Sequence, residues 1–277
     1  MTADDDFFVR FWGVRGSIAC ATADVAKYGG NTSSLEVRCG GRLLMFDVGT
    51  GSRYLGKALA AAGTIDADMF LTHTHFDHVS GLPFFAPLFR PGNHIRIWAG
   101  HLGTEYTIFR VLNEMMIAPL FPVPLDIFNA RLEYNDFTAG ETLNPADGIV
   151  VATAPLNHPN GATGYRVEYG GRAICYVTDT EHKPGAPDGN ILRLIQGADI
   201  VIYDATYDDS EFPERVGWGH STWQEGLRLC DAAAVKTYVI FHHDPDSDDD
   251  RMDQIAAQAE RMRPGTVVAR EGMVLRP

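Results

Sequence analysis

The stretch THTHFDHVSG, residues 72–81, decides how this sequence is interpreted. It follows an apolar run at 67–71 that is typical of a buried β-strand. Three histidines and one aspartate lie within six residues of it: His73, His75, Asp77 and His78. Imidazole nitrogens and carboxylate oxygens are ligands of borderline divalent metals such as zinc, and a loop at a strand end can turn several of them toward one point. The stretch therefore predicts a metal site where a strand ends.

One short cluster cannot complete the coordination shells of two ions, so further ligands are expected at later strand ends. His158, Asp179 and His242 each follow a strand-like run, and the carboxyl ends of strands in α/β sheets tend to collect ligands. In the run FHHDP either His242 or His243 could reach a metal. Adjacent side chains on extended backbone point to opposite faces, so only one is expected to bind. The position directly after the strand favours His242.

Helical segments interspersed among many strands indicate a layered α/β architecture, which we expect to form one domain over residues 1–277. Strand-like runs occur at 7–12, 34–39, 43–47, 69–72, 95–99, 149–154, 164–169, 173–178, 200–203 and 237–241. Helical patterns occur at 54–62, 104–116, 191–196, 222–233 and 249–262. Ser221 and Gln224 suggest a capping box for the fourth helix.

The overall composition excludes several classes of function. The chain has 277 residues, 45% of them hydrophobic, and its 23 Lys and Arg against 36 Asp and Glu give a net charge of −13. That charge repels polyanions, so a long nucleic acid is not expected as a partner. No apolar run approaches the roughly 20 residues that span a bilayer, and MTADDDFFVR at the start does not resemble an export signal. A cytoplasmic protein without a membrane partner is expected.

The four cysteines show no CxxC pairing, so reduced structural thiols are expected. Two other segments leave alternatives open. Residues 118–129 contain three prolines among apolar residues and predict either a lid over a substrate entrance or a connection packed on the core. The acidic residues 208–214 are interpreted as a solvated loop, with a ligand site as the alternative.

The order HTHFDH, then His158, Asp179 and His242, resembles the metallo-β-lactamase fold superfamily. The resemblance covers nearly the whole chain, including FDVGTG at 46–51, and implies a four-layer αβ/βα sandwich with two divalent metals at one edge of its two sheets. It also assigns roles to the candidate ligands. His73, His75 and His158 would hold one ion, Asp77, His78 and His242 the second, and Asp179 would bridge them. Asp47 would orient a ligand histidine.

Two adjacent cations lower the pKa of a shared water toward about 7 and so make hydroxide available, which predicts a hydrolase. Zinc is the expected metal, with manganese or iron as alternatives. Such a hydroxide could attack a thioester, a lactone, a β-lactam or a phosphodiester. A β-lactamase is disfavoured because those of this fold are usually exported and often carry cysteine where Asp179 stands.

Two further residues favour a phosphodiester. Asp204 ends the strand-like run IYD, and His220 stands just before a helix in GWGHST. An aspartate bound to a histidine can keep the imidazole protonated, ready to donate a proton to a departing alkoxide. The pair resembles the acidic residue and HST histidine of the branch with tRNA 3′-processing endonucleases and related small phosphodiesterases. The expected catalytic residues are therefore Asp77, Asp204 and His220.

The glycine-rich segments GVRGS at 13–17 and YGGNTSS at 28–34 suggest a second aid to phosphate binding. Glycines let backbone N–H groups approach an anion, and Arg15 could add a charge-assisted contact. Such turns also join strands in many proteins, so the alternative is a purely structural role.

The interval between His158 and Asp179 argues against tRNA as the substrate. Family members that clamp tRNA often carry a long arm there, whereas these 21 positions read as two strands joined by a Gly-Gly turn. We therefore expect a small phosphodiester such as a cyclic nucleotide as the substrate. The alternatives are a thioester or lactone hydrolase, an iron-dependent redox protein and a binding module without turnover. A homodimer is also open.

Overall fold

The computed structural model describes residues 7–277, so the first six residues of the acidic N-terminal stretch lie outside it. The strands β1 to β14 are Phe8–Gly13, Ser34–Cys39, Arg42–Phe46, Asp66–Leu71, His94–Ala99, Arg131–Asp136, Thr142–Ala146, Ile149–Leu156, Ala162–Tyr169, Arg172–Val177, Ile200–Asp204, Thr237–Phe241, Val267–Val268 and Val274–Leu275. The α-helices α1 to α6 are Ser52–Ala62, Phe76–Val79, Ile108–Met115, Gly189–Ile195, Trp223–Ala232 and Asp249–Met262.

The strands form two seven-stranded mixed sheets that resemble each other in layout. The first has the order β14-β1-β2-β3-β4-β5-β6, and β3 to β6 run parallel. The second has the order β13-β12-β11-β10-β9-β8-β7, and β10 to β13 run parallel. Parallel strands that are covered on both faces carry near-continuous apolar runs, as in β3, β11 and β12.

Three apolar cores separate the layers. Aromatic rings fill the core between the two sheets, where the Phe46 ring stacks on Phe70 at 5.3 Å and meets Tyr165 and Tyr176 from the second sheet. A second core joins the first sheet to α1 and α3, and a third joins the second sheet to α4, α5 and α6. Helices, sheet, sheet and helices therefore follow one another, which confirms the predicted four-layer αβ/βα sandwich.

Most predicted elements are present, with shifted ends. The last helix has the predicted bounds, but α3 begins at Ile108 because the Thr107 side chain caps it by accepting a hydrogen bond from the Arg110 N–H. The predicted capping box at Ser221 is wrong, because Thr222 caps α5 through the Glu225 N–H. The Ser221 hydroxyl instead lies buried within reach of His182 and Tyr203.

Strands β6 and β7 were not predicted. Strand β6 carries only two apolar residues, Leu132 and Tyr134, and all of its residues are half-buried or exposed, so its alternation is too short to predict a strand. Strand β7 contains Pro145, which removes a ladder donor and breaks the register with β8. Both strands lie at the outer edges of their sheets, where weak patterning is tolerated.

The two ambiguous segments are also placed. Residues 118–129 pack against the core beside α3, with Leu125 buried. None of them lines the cavity that opens beside His75, Asp77 and His158. The packed connection is thus what the structure has. Within 208–214, Asp208 is only partly exposed and forms an ion pair with Arg251, while most of its neighbours face solvent.

None of the four cysteines forms a disulfide, and Cys39, Cys175 and Cys230 are buried. Within residues 7–277, no helix has the length and apolar character that a bilayer crossing demands. The predicted Gly-Gly turn is present, since Gly170 and Gly171 join β9 to β10 with φ of +58° and +76°. The space between His158 and Asp179 therefore holds a hairpin.

Candidate metal centre

The predicted ligands converge where the parallel strands of both sheets end. Asp47 follows β3, His73 follows β4 by two residues, and Asp179 follows β10 by two. Asp204 is the last residue of β11 and His242 comes directly after β12. The carboxyl ends of parallel strands share one sheet edge, and the two sheets present those edges to each other.

One group of donors consists of histidines. One ligand atom each from His73, His75 and His158 lies within 4.8 Å of the others. His158 Nε2 lies 3.0 Å from His75 Nδ1, and the other ring nitrogen, Nδ1, donates to the Gly219 carbonyl at 2.7 Å. A histidine that donates one N–H to a backbone carbonyl presents its second nitrogen unprotonated, as metal binding requires.

A second group brings together Asp77, His78, Asp179 and His242, again with ligand atoms within 4.8 Å of one another. His78 Nε2 lies 3.1 Å from Asp77 Oδ2, and His242 Nε2 lies 3.4 Å from the same oxygen. All four side chains are buried. Mixed imidazole and carboxylate donors suit zinc, manganese and iron alike, so the donor set leaves the metal open.

Asp179 lies between the two groups. Its Oδ2 is 3.6 Å from His73 Nε2 and 3.7 Å from His158 Nε2, whereas its Oδ1 is 3.2 Å from His78 Nε2 and 3.3 Å from His242 Nε2. Each carboxylate oxygen therefore faces a different group. This is the arrangement that a bridging ligand requires, and the assignment of Asp179 to that role stays a prediction.

The backbone at these strand ends is unusual. Ser17, Asp47, Asp179 and His242 have φ between +57° and +61° although none is glycine. Left-handed backbone is uncommon outside glycine and is disfavoured by roughly 1–3 kcal/mol at each residue. It turns the side chain sharply away from the strand direction, and the surrounding burial maintains it.

Two buried atoms at the cluster lack hydrogen-bond partners, namely Nε2 of His73 and Nε2 of His78. Buried polar atoms are normally satisfied, so imidazole nitrogens without a hydrogen-bond partner that face one cluster are suited to bind a cation. Burial lowers the pKa of His73 well below its usual range, which keeps this imidazole neutral. These observations fit divalent metal ions at both groups, with each residue in the place that the family resemblance implies.

Asp47 orients one of the histidines, as predicted. Its Oδ2 accepts hydrogen bonds from His78 Nδ1 at 2.8 Å and from the Tyr176 hydroxyl at 2.9 Å. Its Oδ1 accepts from the Thr72 N–H at 2.8 Å. The carboxylate thus fixes the tautomer of His78 and directs Nε2 toward the cluster.

The phosphate contact proposed for Arg15 does not fit the structure. Its guanidinium is fully buried and donates to the carbonyls of Gly29, Asp244 and Ser247. The rest of GVRGS supports the metal cluster instead: the Ser17 N–H donates to Asp77 Oδ2 at 2.9 Å. A Cβ on Gly16 would lie 2.5 Å from the His242 ring, so only glycine allows this approach.

The choice between the adjacent histidines follows from their surroundings. His242 Nε2 faces the carboxylates of Asp77 and Asp179. His243 points away and donates to the Ala269 carbonyl at 2.8 Å, and burial lowers its pKa to about 3. The geometry therefore supports His242 as the ligand and gives His243 a structural role.

Asp204 and His220 form the expected pair beside the ligands. His220 Nδ1 donates to Asp204 Oδ2 at 3.0 Å, and its ring lies 4.9 Å from the His242 ring. Burial opposes the charged imidazole, but the Asp204 carboxylate outweighs it and raises the pKa of His220 to about 9. Ligand atoms of His220 also come within 4.8 Å of those of His158 and Asp179, so His220 as a metal ligand is a geometric alternative.

Sequence reasoning missed two contributors. His101 follows β5 and its Nε2 lies 3.1 Å from the Thr74 hydroxyl, between two ligand histidines. Glu181 accepts from the Gly217 and Gly219 N–H groups at 2.6 and 2.9 Å, and so fixes the loop before His220. The sequence does show a histidine shortly after β5, in GHLG, and a glutamate shortly after β10, in DTE. Polar residues at these strand ends are the signal that could have pointed to both.

A cavity of about 420 Å³ opens onto the cluster and is lined by His75, Asp77, His158, Asp179 and His220. A larger one of about 590 Å³ lies beside α4 and contains none of the predicted site residues. We take the smaller as the substrate cavity, because convergent polar groups and not volume mark an active site.

Similarity to known proteins agrees with this site. The chain is 26% identical over 293 aligned residues to a ribonuclease Z of Bradyrhizobium sp. (strain ORS 278), which covers 90% of this chain and 94% of that protein. The structure of this chain matches the metallo-β-lactamase fold protein YhfI from Bacillus subtilis with a TM-score of 0.73 at 16% identity. The match covers 98% of this chain and 100% of that one. A diphosphatase from the PhnP family matches with a TM-score of 0.70 at 20% identity, over 97% and 96% of the two chains.

The family model described as the beta-lactamase superfamily domain matches residues 46–243. This span is more than two thirds of the chain and includes every predicted metal ligand from His73 to His242. It confirms the resemblance and the fold that the order of motifs implied. The chain belongs to the beta-lactamase superfamily and has the metallo-β-lactamase fold.

Proposed function

We propose that this chain, a metal-dependent hydrolase of the metallo-β-lactamase superfamily, cleaves small phosphodiesters such as cyclic nucleotides. The observation that carries the proposal is the Asp204–His220 pair beside the predicted ligands, in which His220 lines the substrate cavity. A thioester or lactone hydrolase on this fold has no need of such a pair. The relatives named as ribonuclease Z and as a diphosphatase support the same class of bond.

When bound at the two donor groups, divalent cations would supply a hydroxide nucleophile at neutral pH and stabilise charge on the substrate oxygens. The chain itself supplies the proton for the leaving group. Asp204 holds Nδ1 of His220, so Nε2 is the nitrogen left to donate to the departing alkoxide. The Gly219 carbonyl fixes His158, and Asp47 fixes His78.

The chain around Asp204 holds the carboxylate in place. Its Oδ1 accepts from the Thr206 hydroxyl at 2.8 Å, and its Oδ2 accepts from the Thr180 N–H at 3.0 Å. Asp204 is fully buried, and His220 outweighs burial and lowers the pKa of Asp204. The carboxylate therefore stays ionised and keeps the facing imidazole protonated.

The decisive experiment substitutes His220→Ala. A positioned general acid contributes about 10²- to 10⁴-fold, so turnover of bis(p-nitrophenyl) phosphate should fall by that factor while elemental analysis finds the metal content unchanged. Asp204→Asn should lower turnover less, because the imidazole remains. Unchanged phosphodiester turnover, or lactone cleavage without phosphodiester cleavage, would contradict the proposal. Loss of metal would make His220 a ligand and remove the general acid.

The substrate and the metal need a screen. We expect cyclic nucleotides to be cleaved ahead of dinucleotides and glycerophosphodiesters by protein loaded with zinc or manganese. Elemental analysis of protein purified without added metal separates hydrolysis from redox chemistry. Stoichiometric iron together with oxygen consumption would contradict a hydrolase.

The remaining predictions concern the size of the substrate, the location of the protein and its oligomeric state. The formal charge of −13 and the hairpin between His158 and Asp179 support a small substrate over a long nucleic acid. A cytoplasmic location, one domain over residues 1–277, no membrane partner and a homodimer stay predictions. Gel filtration with light scattering measures the last of these.

A further inference from the structure

Two large aromatic side chains stand exposed at the substrate cavity. Phe76 is 75% exposed and Trp218 is 59% exposed, and both line the same cavity as the predicted ligands His75 and His158 and the proposed acid His220. Neither belongs to the three apolar cores of the described chain. Single exposed apolar residues are common on protein surfaces. Two exposed aromatic rings at one cavity lined by predicted metal ligands are a feature that folding does not account for.

The backbone of Phe76 is fixed by a hydrogen bond between the predicted ligand residues on either side of it. Phe76 stands between His75 and Asp77 and is the first residue of α2. The His78 N–H donates to the His75 carbonyl at 3.0 Å, which closes the turn around Phe76. Its side chain therefore projects from a rigid turn at the cavity and is not part of a mobile loop.

The loop that carries Trp218 is fixed as well. Glu181 accepts the N–H groups of Gly217 and Gly219, on either side of Trp218. The Gly219 carbonyl accepts from His158, and a Cβ on Gly219 would lie 2.4 Å from His158 Nδ1. Gly219 has φ of +86°, so glycine alone permits this approach. The Arg215 guanidinium lies 5.0 Å from the centre of the Trp218 ring.

The charge of the molecule makes such rings useful. With a formal charge of −13, the protein repels an anionic substrate at long range, and the metal ions can attract only its phosphate. The remainder of a nucleotide carries a planar, uncharged base. Aromatic side chains bind such a group by stacking, which is independent of net charge.

We propose that Phe76 and Trp218 form a stacking site for a nucleobase, so that the substrate is a nucleoside phosphodiester. This inference rests on the proposed phosphodiesterase function and adds the group that the enzyme recognises beyond the phosphate. The rings act on binding and leave the bond-breaking step to the metal cluster and His220.

The test compares two phosphodiesters that differ only in the base. One is 3′,5′-cyclic adenosine monophosphate, and the other carries a methoxy group in place of adenine. Trp218→Ala and Phe76→Ala should each raise KM for the nucleotide about tenfold, as expected for the loss of one stacked ring, with kcat nearly unchanged. KM for the base-less substrate should change less than twofold. Trp218→Phe should restore most of the lost affinity.

Controls separate stacking from folding and from metal loss. Leu120→Ala removes a side chain that is 76% exposed and lies away from the cavity, so both KM values should stay unchanged. Elemental analysis of Phe76→Ala checks that its neighbouring ligands still hold metal. Addition of the nucleotide should quench tryptophan fluorescence in the wild-type protein and much less in Trp218→Phe.

The outcomes keep the two proposals apart. If the wild-type protein cleaves no phosphodiester, the proposed function itself fails, and this inference fails with it. If it cleaves both substrates and the aromatic variants change both KM values equally, only the stacking site is wrong. A preference of the wild-type protein for the base-less substrate, or aromatic variants that change only the oligomeric state, would also overturn it.

Discussion

The substrate cavity has a floor of predicted metal ligands and a mouth formed by Phe76 and Trp218, and the two differ in how far their side chains are exposed. On the floor, Asp179 lines the cavity and lies within 3.6 Å of His73, His78 and His242, and all four side chains are almost fully buried. At the mouth, Phe76 and Trp218 are largely exposed, although their backbones are fixed. The difference teaches that, under the two proposals above, chemistry and selectivity are separable: the buried groups would set the reaction, while the exposed rings are free to contact a substrate.

The largest effect should come from the residue at the centre of the floor. Asp179→Ala removes a carboxylate whose two oxygens face the two donor groups. Loss of a group that orients a ligand commonly weakens metal affinity 10- to 100-fold, and loss of a bridging ligand should exceed that. We expect turnover to fall by more than about a hundredfold with at least one metal equivalent lost, as measured by elemental analysis. Retention of two metals would show that Asp179 does not bridge them.

A smaller effect should follow substitution of Asp47, which contacts a predicted ligand without belonging to either donor group. Asp47→Asn keeps the shape of the side chain but weakens its hold on the His78 Nδ1 proton. Metal affinity, measured by competition with a chelator, should fall about 10- to 100-fold. The matched control is Asp199→Asn, since Asp199 accepts from the Ala173 N–H and Lys236 away from the site. Equal loss of metal affinity in both variants would assign the effect to general destabilisation.

The smallest effect should follow substitution of Glu181, which holds the loop of Trp218 beside the predicted ligands. Glu181→Ala removes the acceptor of two N–H groups in the Trp218 loop, each worth about 0.5–1.5 kcal/mol. The loosened loop should raise KM for a nucleoside phosphodiester about three- to tenfold without changing the metal content. Glu214→Ala, an exposed carboxylate in the segment just before the loop, serves as the control. An equal change in both variants would remove the loop from substrate binding.

The floor was predictable from sequence to a large extent. Histidine and aspartate are conspicuous when they follow apolar runs, and the runs ending before His158, Asp179 and His242 predicted their convergence. The edge strands β6 and β7 were missed because each has few apolar residues, so that the alternation in β6 is short, and because a proline interrupts β7. The role of Arg15 was left open between phosphate binding and structure, because sequence does not show whether a guanidinium meets an anion or buried carbonyls.

The sequence by itself determined the candidate ligand types and the order in which they occur, because strand periodicity and donor chemistry are local properties of the chain, and that order carried the resemblance that implied the fold family. Only the tertiary structure decided which groups meet. It placed His242 and not His243 at the cluster, gave Arg15 to the core, and brought Trp218 to the same cavity as Phe76. Several of these contacts join residues more than 100 positions apart, such as His242 with Asp77 and Arg15 with Asp244, so they depend on tertiary packing that no local sequence pattern records.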